Sequence, residues 1–168
     1  MTRKEKPKRK SLYDDALSST RKQLRKIIKR RSLSKVKAEL WKVFSIYIRM
    51  RDCFQTTGST EFGLCFTCQK RYHFKMLQAG HFVPGRKSGN LFSVKGTHAQ
   101  CYNCNVNLKG NTLEYRRQII KLYGEGVDLE LEREAQYVKK YIIPELEELK
   151  RCCKVKIEEL KQRNKIGG

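Results

Sequence analysis

Two cysteine pairs, Cys65-x-x-Cys68 and Cys101-x-x-Cys104, carry the strongest chemical signal in the sequence. Thiolates are soft ligands that suit tetrahedral zinc, and a two-residue gap lets both sulfurs of a pair face one ion. Two such pairs supply four ligands and leave no open coordination position. They therefore read as a structural Zn²⁺ site that ties the chain together without catalysing anything. The stretch between the pairs is long enough for a hairpin and a loop. Within it stand Gly80-His81-Phe82-Val83-Pro84 and Thr97-His98, and Asn105 directly follows the last cysteine of the second pair. The chain has 3 histidines, and two of them, His81 and His98, stand in these two segments, which marks this window for chemistry. Cys53, Cys152 and Cys153 are left over and read as non-functional, Cys53 lying in an expected loop.

The composition says what such a window acts on. The chain has 168 residues, with 38 Lys and Arg against 17 Asp and Glu, for a formal net charge of +21. A charge this large opposes compaction and points to a polyanionic partner, nucleic acid first and an anionic membrane second. No apolar run is long enough to span a bilayer, and no signal peptide is expected, because Met1–Lys10 is followed by polar and acidic residues. Seven cysteines, an odd count, argue against a secreted disulfide framework and for a reducing, cytoplasmic compartment. Hydrophobic residues make up 39%, enough for one small core with tails.

The elements that must position these residues follow from periodicity. Residues 1–31 read as a basic flexible arm that contacts nucleic acid. Val36, Leu40, Val43, Phe44 and Tyr47 recur at helical spacing, predicting a helix over about 34–51 capped by Ser34, with Trp41 and Ile48 widening its apolar stripe. Residues 52–64 read as a loop and 72–82 as a strand ending at His81. Residues 83–96 form a basic loop whose Arg86, Lys87 and Lys95 are candidate phosphate contacts, and a second strand falls near 97–100. A helix starts near Cys101, is interrupted around Lys109-Gly110-Asn111, and resumes over 113–123 with Arg116 and Arg117 as further candidate contacts. Residues 129–163 are helical, with Pro144 starting or kinking a helix whose stripe includes Leu146, Leu149, Cys153 and Ile157. That stripe packs on its own domain or forms a homodimer contact. The organisation is thus 1–31 arm, 32–128 zinc-stapled core with its leading helix, and 129–168 charged helical segment, in an α+β fold.

Gly-His-Phe-x-Pro, then Thr-His-x-Gln-Cys-x-x-Cys-Asn, Leu-Lys-Gly-Asn and Glu-Tyr-Arg-Arg, with Ile48-Arg49-x-Arg51-Asp52 ahead of the first pair, resembles the NinG/Rap family of phage recombination endonucleases over about residues 32–160. The resemblance implies an HNH-like ββα-metal core beside the zinc, and cleavage of branched DNA such as Holliday junctions and D-loops in a bacterial host cell. Carried over, His81 matches the general base that takes a proton from water, which an imidazole of ordinary pKa near 6.5 does at neutral pH. Asn105 matches the catalytic-ion position, its carboxamide oxygen being a hard ligand for Mg²⁺ or Mn²⁺. The sequence departs from the HNH pattern in two places: Gly80 stands where a metal-binding Asp or His often precedes the base, and Gly96 near the usual middle Asn. His98 is therefore the candidate second ligand, with orienting His81, contacting a phosphate or a purely structural place as its other roles. The rival reading is a non-catalytic zinc-ribbon nucleic-acid-binding protein, with the two glycines marking lost catalysis.

Overall fold

The computed structural model describes residues 12–29 and 32–166. The basic arm expected over 1–31 lies partly outside the described residues; within it, Leu12–Lys29 forms helix α1. The leading helix, α2 (Leu33–Thr57), is longer than the periodicity predicted. Its N-cap is Ser32, not Ser34, with the Ser32 side chain accepting from the Lys35 N–H. Its end is Gly58, whose φ of 72° is left-handed and whose N–H bonds back to the Phe54 carbonyl. Residues 52–57, expected in a loop, form the last turns of α2, and Cys53 is fully buried there. Charged residues disguise this segment, because Arg51 and Asp52 are themselves buried and paired.

Strands β1 (Phe62–Leu64) and β2 (Arg71–His73) pair antiparallel around the turn that carries Cys65 and Cys68. The single expected strand over 72–82 is instead β2, a 3₁₀ turn at Phe74–Met76, and β3 (Leu77–His81). Strand β3 pairs antiparallel with β4 (Thr97–Cys101), Gly80 opposite His98 and His81 opposite Thr97. Side chains alternate between faces, so Gln78, Gly80, His98 and Gln100 share one side of this hairpin. A π-helical turn at Asn103–Asn107 follows, then α3 (Thr112–Tyr123), α4 (Val127–Gln136) and α5 (Ile143–Ile166). Pro144 sits in the first turn of α5, where its missing N–H is harmless.

Helix α5 packs along α2: Leu146, Cys153 and Ile157 bury against Val36, Leu40, Phe44, Tyr47 and Ile48. This part of the α5 stripe is thus covered within the chain. A second cluster surrounds the cysteines, and a third, built on Tyr115, Ile119, Val127 and Leu131, joins α3 and α4 to Phe82. The loop between β3 and β4 is held from outside. Gly89 fits against backbone, since a Cβ there would lie 2.0 Å from the Glu134 carbonyl oxygen. The Lys139 N–H donates to Ser88 Oγ, and the Tyr141 hydroxyl donates to the Ser88 carbonyl at 2.9 Å. Among the described residues, no helix is long and apolar enough to cross a membrane.

Candidate nuclease and metal sites

The four cysteines of the two pairs meet. The sulfurs of Cys65, Cys68, Cys101 and Cys104 all lie within 4.8 Å of one another, and Cys68 Sγ is 3.9 Å from Cys101 Sγ. Zinc–sulfur bonds of about 2.3 Å set the sulfurs of a tetrahedral site about 3.8 Å apart, so the cluster could hold a metal such as zinc. The Cys101 N–H donates to Cys65 Sγ at 3.3 Å, a contact that favours the thiolate. Burial alone would push the Cys65 thiol up. The Thr67 hydroxyl and the backbone amides of Cys101, Cys68 and Thr67 reverse this and leave it at about 7. A further backbone bond, from the Phe66 N–H to the Ala99 carbonyl at 2.7 Å, joins the first pair to β4.

Beside this cluster, His81 and Asn105 line one cavity of about 240 Å³ together with Gly80, Arg86, Lys109 and Gly110. His81 Nε2 lies 3.2 Å from the Leu91 carbonyl oxygen. A carbonyl only accepts, so Nε2 carries the proton and Nδ1 keeps a lone pair. The imidazole stacks on Trp41, ring centres 5.2 Å apart, and the Arg86 guanidinium lies 4.5 Å over the same indole. Burial first, then the Arg86 charge, hold His81 below its ordinary pKa despite the opposing carbonyl bond. It is therefore neutral and able to accept a proton at pH 7.

Asn105 Nδ2 donates to Gln78 Oε1 at 2.7 Å. A Cβ built on Gly80 would lie 2.8 Å from Asn105 Oδ1 and 2.1 Å from Gln100 Oε1. Gln100 is fully buried. Its Nε2 donates to the Gly110 carbonyl at 2.8 Å and to Thr67 Oγ1 at 3.2 Å, while its Oε1 is buried without a hydrogen-bond partner. Two hard oxygens thus converge above Gly80, one of them orphaned. Of the two residues, Asn105 borders the cavity, and its carboxamide oxygen is a hard donor of the kind a divalent cation takes, whereas Gln100 Oε1 is closed off from solvent.

His98 lies elsewhere. Its Nδ1 is 3.1 Å from Asp52 Oδ2, its ring stacks on Phe66 at 3.8 Å between centres, and only 1% of it is exposed. It borders a different cavity, with Asp52, Gln55, Phe66 and Gln118, so it neither reaches the His81 cavity as a ligand nor touches His81. Arg51 donates to Asp52 Oδ1 at 2.7 Å and to the carbonyls of Val94 and Thr97. The Ala99 N–H donates to Asp52 Oδ2 at 2.7 Å. Hydrogen bonds from His98 and the Arg51 charge overcome the burial penalty and keep Asp52 below its ordinary pKa, while burial lowers His98. The pair is therefore carboxylate and neutral imidazole, with His98 Nδ1 lying 3.1 Å from both Asp52 Oδ2 and Arg51 Nη2. This network clamps the end of α2 to β4.

The basic candidates divide. Arg86 lines the cavity, and Lys87 beside it is exposed. Lys95 pairs with Glu130 at 3.3 Å and Arg117 with Glu114 at 3.0 Å, both on the surface, where such pairs are weak and open readily to a phosphate. Arg116 is engaged by Asp128 at 2.6 Å and by Glu132, and lies over Phe82, so it braces α3 against α4. Lys109, Trp41, Gln78 and Gln100 are site residues that sequence reasoning missed. Gln100 and Lys109 do lie inside the quoted Thr-His-x-Gln-Cys and Leu-Lys-Gly-Asn segments.

The chain is thus a basic protein of mixed α+β architecture, with a four-cysteine cluster that could hold a metal such as zinc beside a cavity shared by a neutral histidine and an asparagine. The sequence model of the family described as Bacteriophage Lambda NinG protein matches residues 1–164, and the chain belongs to that family. Membership suggests a function related to phage recombination. Searches of curated proteins and of solved structures returned no match.

Proposed function

We propose that this protein is a divalent-metal-dependent endonuclease of the HNH type that cleaves branched DNA recombination intermediates, with Zn²⁺ bound structurally by Cys65, Cys68, Cys101 and Cys104. One observation carries the reading: His81, its Nε2 fixed on the Leu91 carbonyl, shares a cavity with Asn105 and the basic residues Arg86 and Lys109. In this scheme β3, β4 and the helical turn after them are the ββα core. His81 Nδ1 takes a proton from a water that attacks the scissile phosphate. Arg86 and Lys109 draw the phosphate into the cavity and offset its charge. Asn105 would hold a Mg²⁺ or Mn²⁺ ion through its carboxamide oxygen, and such an ion would supply stabilisation of charge on the phosphate and its leaving oxygen. The Trp41 ring keeps the imidazole in plane, and Tyr115, donating to the Gly80 carbonyl at 3.0 Å, fixes the strand end that presents it.

The test incubates zinc-loaded protein with end-labelled four-way junction, duplex and single strand, with and without Mg²⁺ or Mn²⁺. Metal-dependent cleavage with preference for the junction is the expected result. Tight junction binding without cleavage in either metal favours the second reading, a zinc-stapled DNA-binding module. That reading has one observation in its favour: among the described residues, no Asp or Glu lines the His81 cavity.

A further inference from the structure

We propose that Arg49, Gln78 and Arg86 form a second phosphate subsite along α2, which holds the phosphodiester next to the one in the His81 cavity on the same DNA strand. The proposal rests on the nuclease reading for the first phosphate and adds to it the path of the strand.

A cavity of about 290 Å³ adjoins the His81 cavity and shares Ala79, Arg86 and Asn105 with it. Trp41, Ser45 and Arg49 supply its α2 side, at positions four apart and so on one face of the helix. Leu77 and Gln78 supply the β3 side. Among the described residues, no Asp or Glu borders it. Gln78 Oε1 accepts from Asn105 Nδ2 at 2.7 Å, which leaves the Gln78 amide N–H groups to donate.

Arg49 is half-buried, with its guanidinium 4.4 Å from the centre of the Phe74 ring. Its Nε donates to the Ser45 carbonyl at 3.0 Å and its Nη1 to the Leu77 carbonyl at 3.3 Å, while Nη2 has no hydrogen-bond partner among the described residues. Carboxylates neutralise Arg51, through Asp52, and Arg116, through Asp128 and Glu132. Among the described residues none pairs with Arg49 or Arg86. Burial lowers the pKa of Arg49, yet a guanidinium keeps its charge at pH 7. A half-buried cation without a counter-charge is costly, and an arriving phosphate relieves that cost with charge-assisted bonds to the free edge of the fork. Arg86 closes the opposite side. Gly85 and Arg86 have φ of 101° and 43°, and this left-handed turn brings the Arg86 guanidinium back over Trp41, 4.5 Å from its ring centre. From there it borders both cavities and lies between the two phosphates. The net charge of +21 favours a polyanion over a small anion as the occupant.

The test uses full-length, zinc-loaded protein and four-way junctions that each carry one uncharged methylphosphonate linkage, walked along the strands. Binding is read by anisotropy of a labelled junction without added divalent metal. Arg49→Gln should weaken binding of the all-phosphate junction by about tenfold or more and lower the log–log salt slope by about 0.9. Lys154→Gln removes the same charge at an exposed place on α5, and an equal fall in slope there overturns the subsite. At one linkage the methylphosphonate should weaken the wild type and leave Arg49→Gln unaffected; with Mg²⁺ or Mn²⁺ added, that linkage should lie next to the one that is cut. If Arg49→Gln fails to fold, Gln78→Glu decides. It keeps an acceptor for Asn105 and sets a negative charge in the cavity, so the methylphosphonate at that linkage alone should restore its affinity. No coupled linkage, or one away from the cut, overturns the proposal. So does inorganic phosphate that quenches Trp41 in the wild type alone when no linkage is coupled, because the site then takes free phosphate. Cleavage without a coupled linkage keeps the nuclease reading and removes the subsite, whereas a coupled linkage in a protein that cuts nothing keeps the subsite and removes the nuclease reading.

Discussion

Replacing Asp52 with Ala removes the hub of the buried network that joins α2 to β4. Asp52 is 4% exposed, accepts from Arg51 at 2.7 Å and from the Ala99 N–H at 2.7 Å, and lies 3.1 Å from His98 Nδ1. The substitution leaves a guanidinium that is 8% exposed without its counter-charge, and a strand N–H without an acceptor. Breaking one side of a buried ion pair typically costs about 3–5 kcal/mol. In a domain of this size each kcal/mol moves the melting temperature by about 2–4 °C, so a drop of roughly 6–20 °C is expected. Thermal melting of zinc-saturated protein by circular dichroism measures it. Adding Arg51→Met to Asp52→Ala should recover part of the loss, because the stranded charge is then gone. A drop under about 3 °C, or no recovery in the double variant, would show that the network is incidental to stability.

Elemental analysis should find about one zinc per chain, and Cys104→Ser should lose it together with the cooperative melt, since a structural site contributes folding free energy directly. In the nuclease assay His81→Ala should keep zinc and junction affinity while losing about 10²–10⁴-fold in cleavage rate. The folded pKa of His81 is depressed, so the imidazole stays neutral below its ordinary value; the acidic limb of the wild-type pH–rate profile should fall below about 6.5, and a limb centred above 7 would contradict the burial argument. Deleting residues 1–31 should flatten the salt dependence of DNA binding by about 0.9 in log–log slope for each phosphate contact removed, and an unchanged slope would make the arm a solubility tail.

The parts of this fold that announce themselves in sequence are those governed by local rules. The cysteine spacing found all four sulfurs of the cluster, Pro144 marked the start of α5, and Gly124 closed α3. The end of α2 was hidden because Arg51 and Asp52 look solvent-facing until their partners on β4, more than forty residues away, are known. His98 misled for the same reason. Its place on the second strand was legible, but the face it presents depends on Asp52 and Phe66. The buried place of Gln100 was unreadable, because only the fold brings the Gly110 carbonyl and the Thr67 hydroxyl to its amide. Trp41 fitted the core stripe of α2, and nothing in that stripe foretold the His81 ring stacked on it.

The outside grip on the β3–β4 loop has a consequence for synthesis. Ser88 and Gly89 are seated by residues 134–141, and the apolar stripe of α2 from Val36 to Ile48 is covered by α5. A chain emerging from the ribosome at about 5–20 residues per second therefore exposes His81 and both cysteine pairs well before the segments that seat Ser88 and Gly89 exist. Contacts this distant in sequence form late and slowly. Under the nuclease reading, a truncated or stalled product would carry the reactive residues without the frame that aligns them, so cutting would be confined to finished molecules.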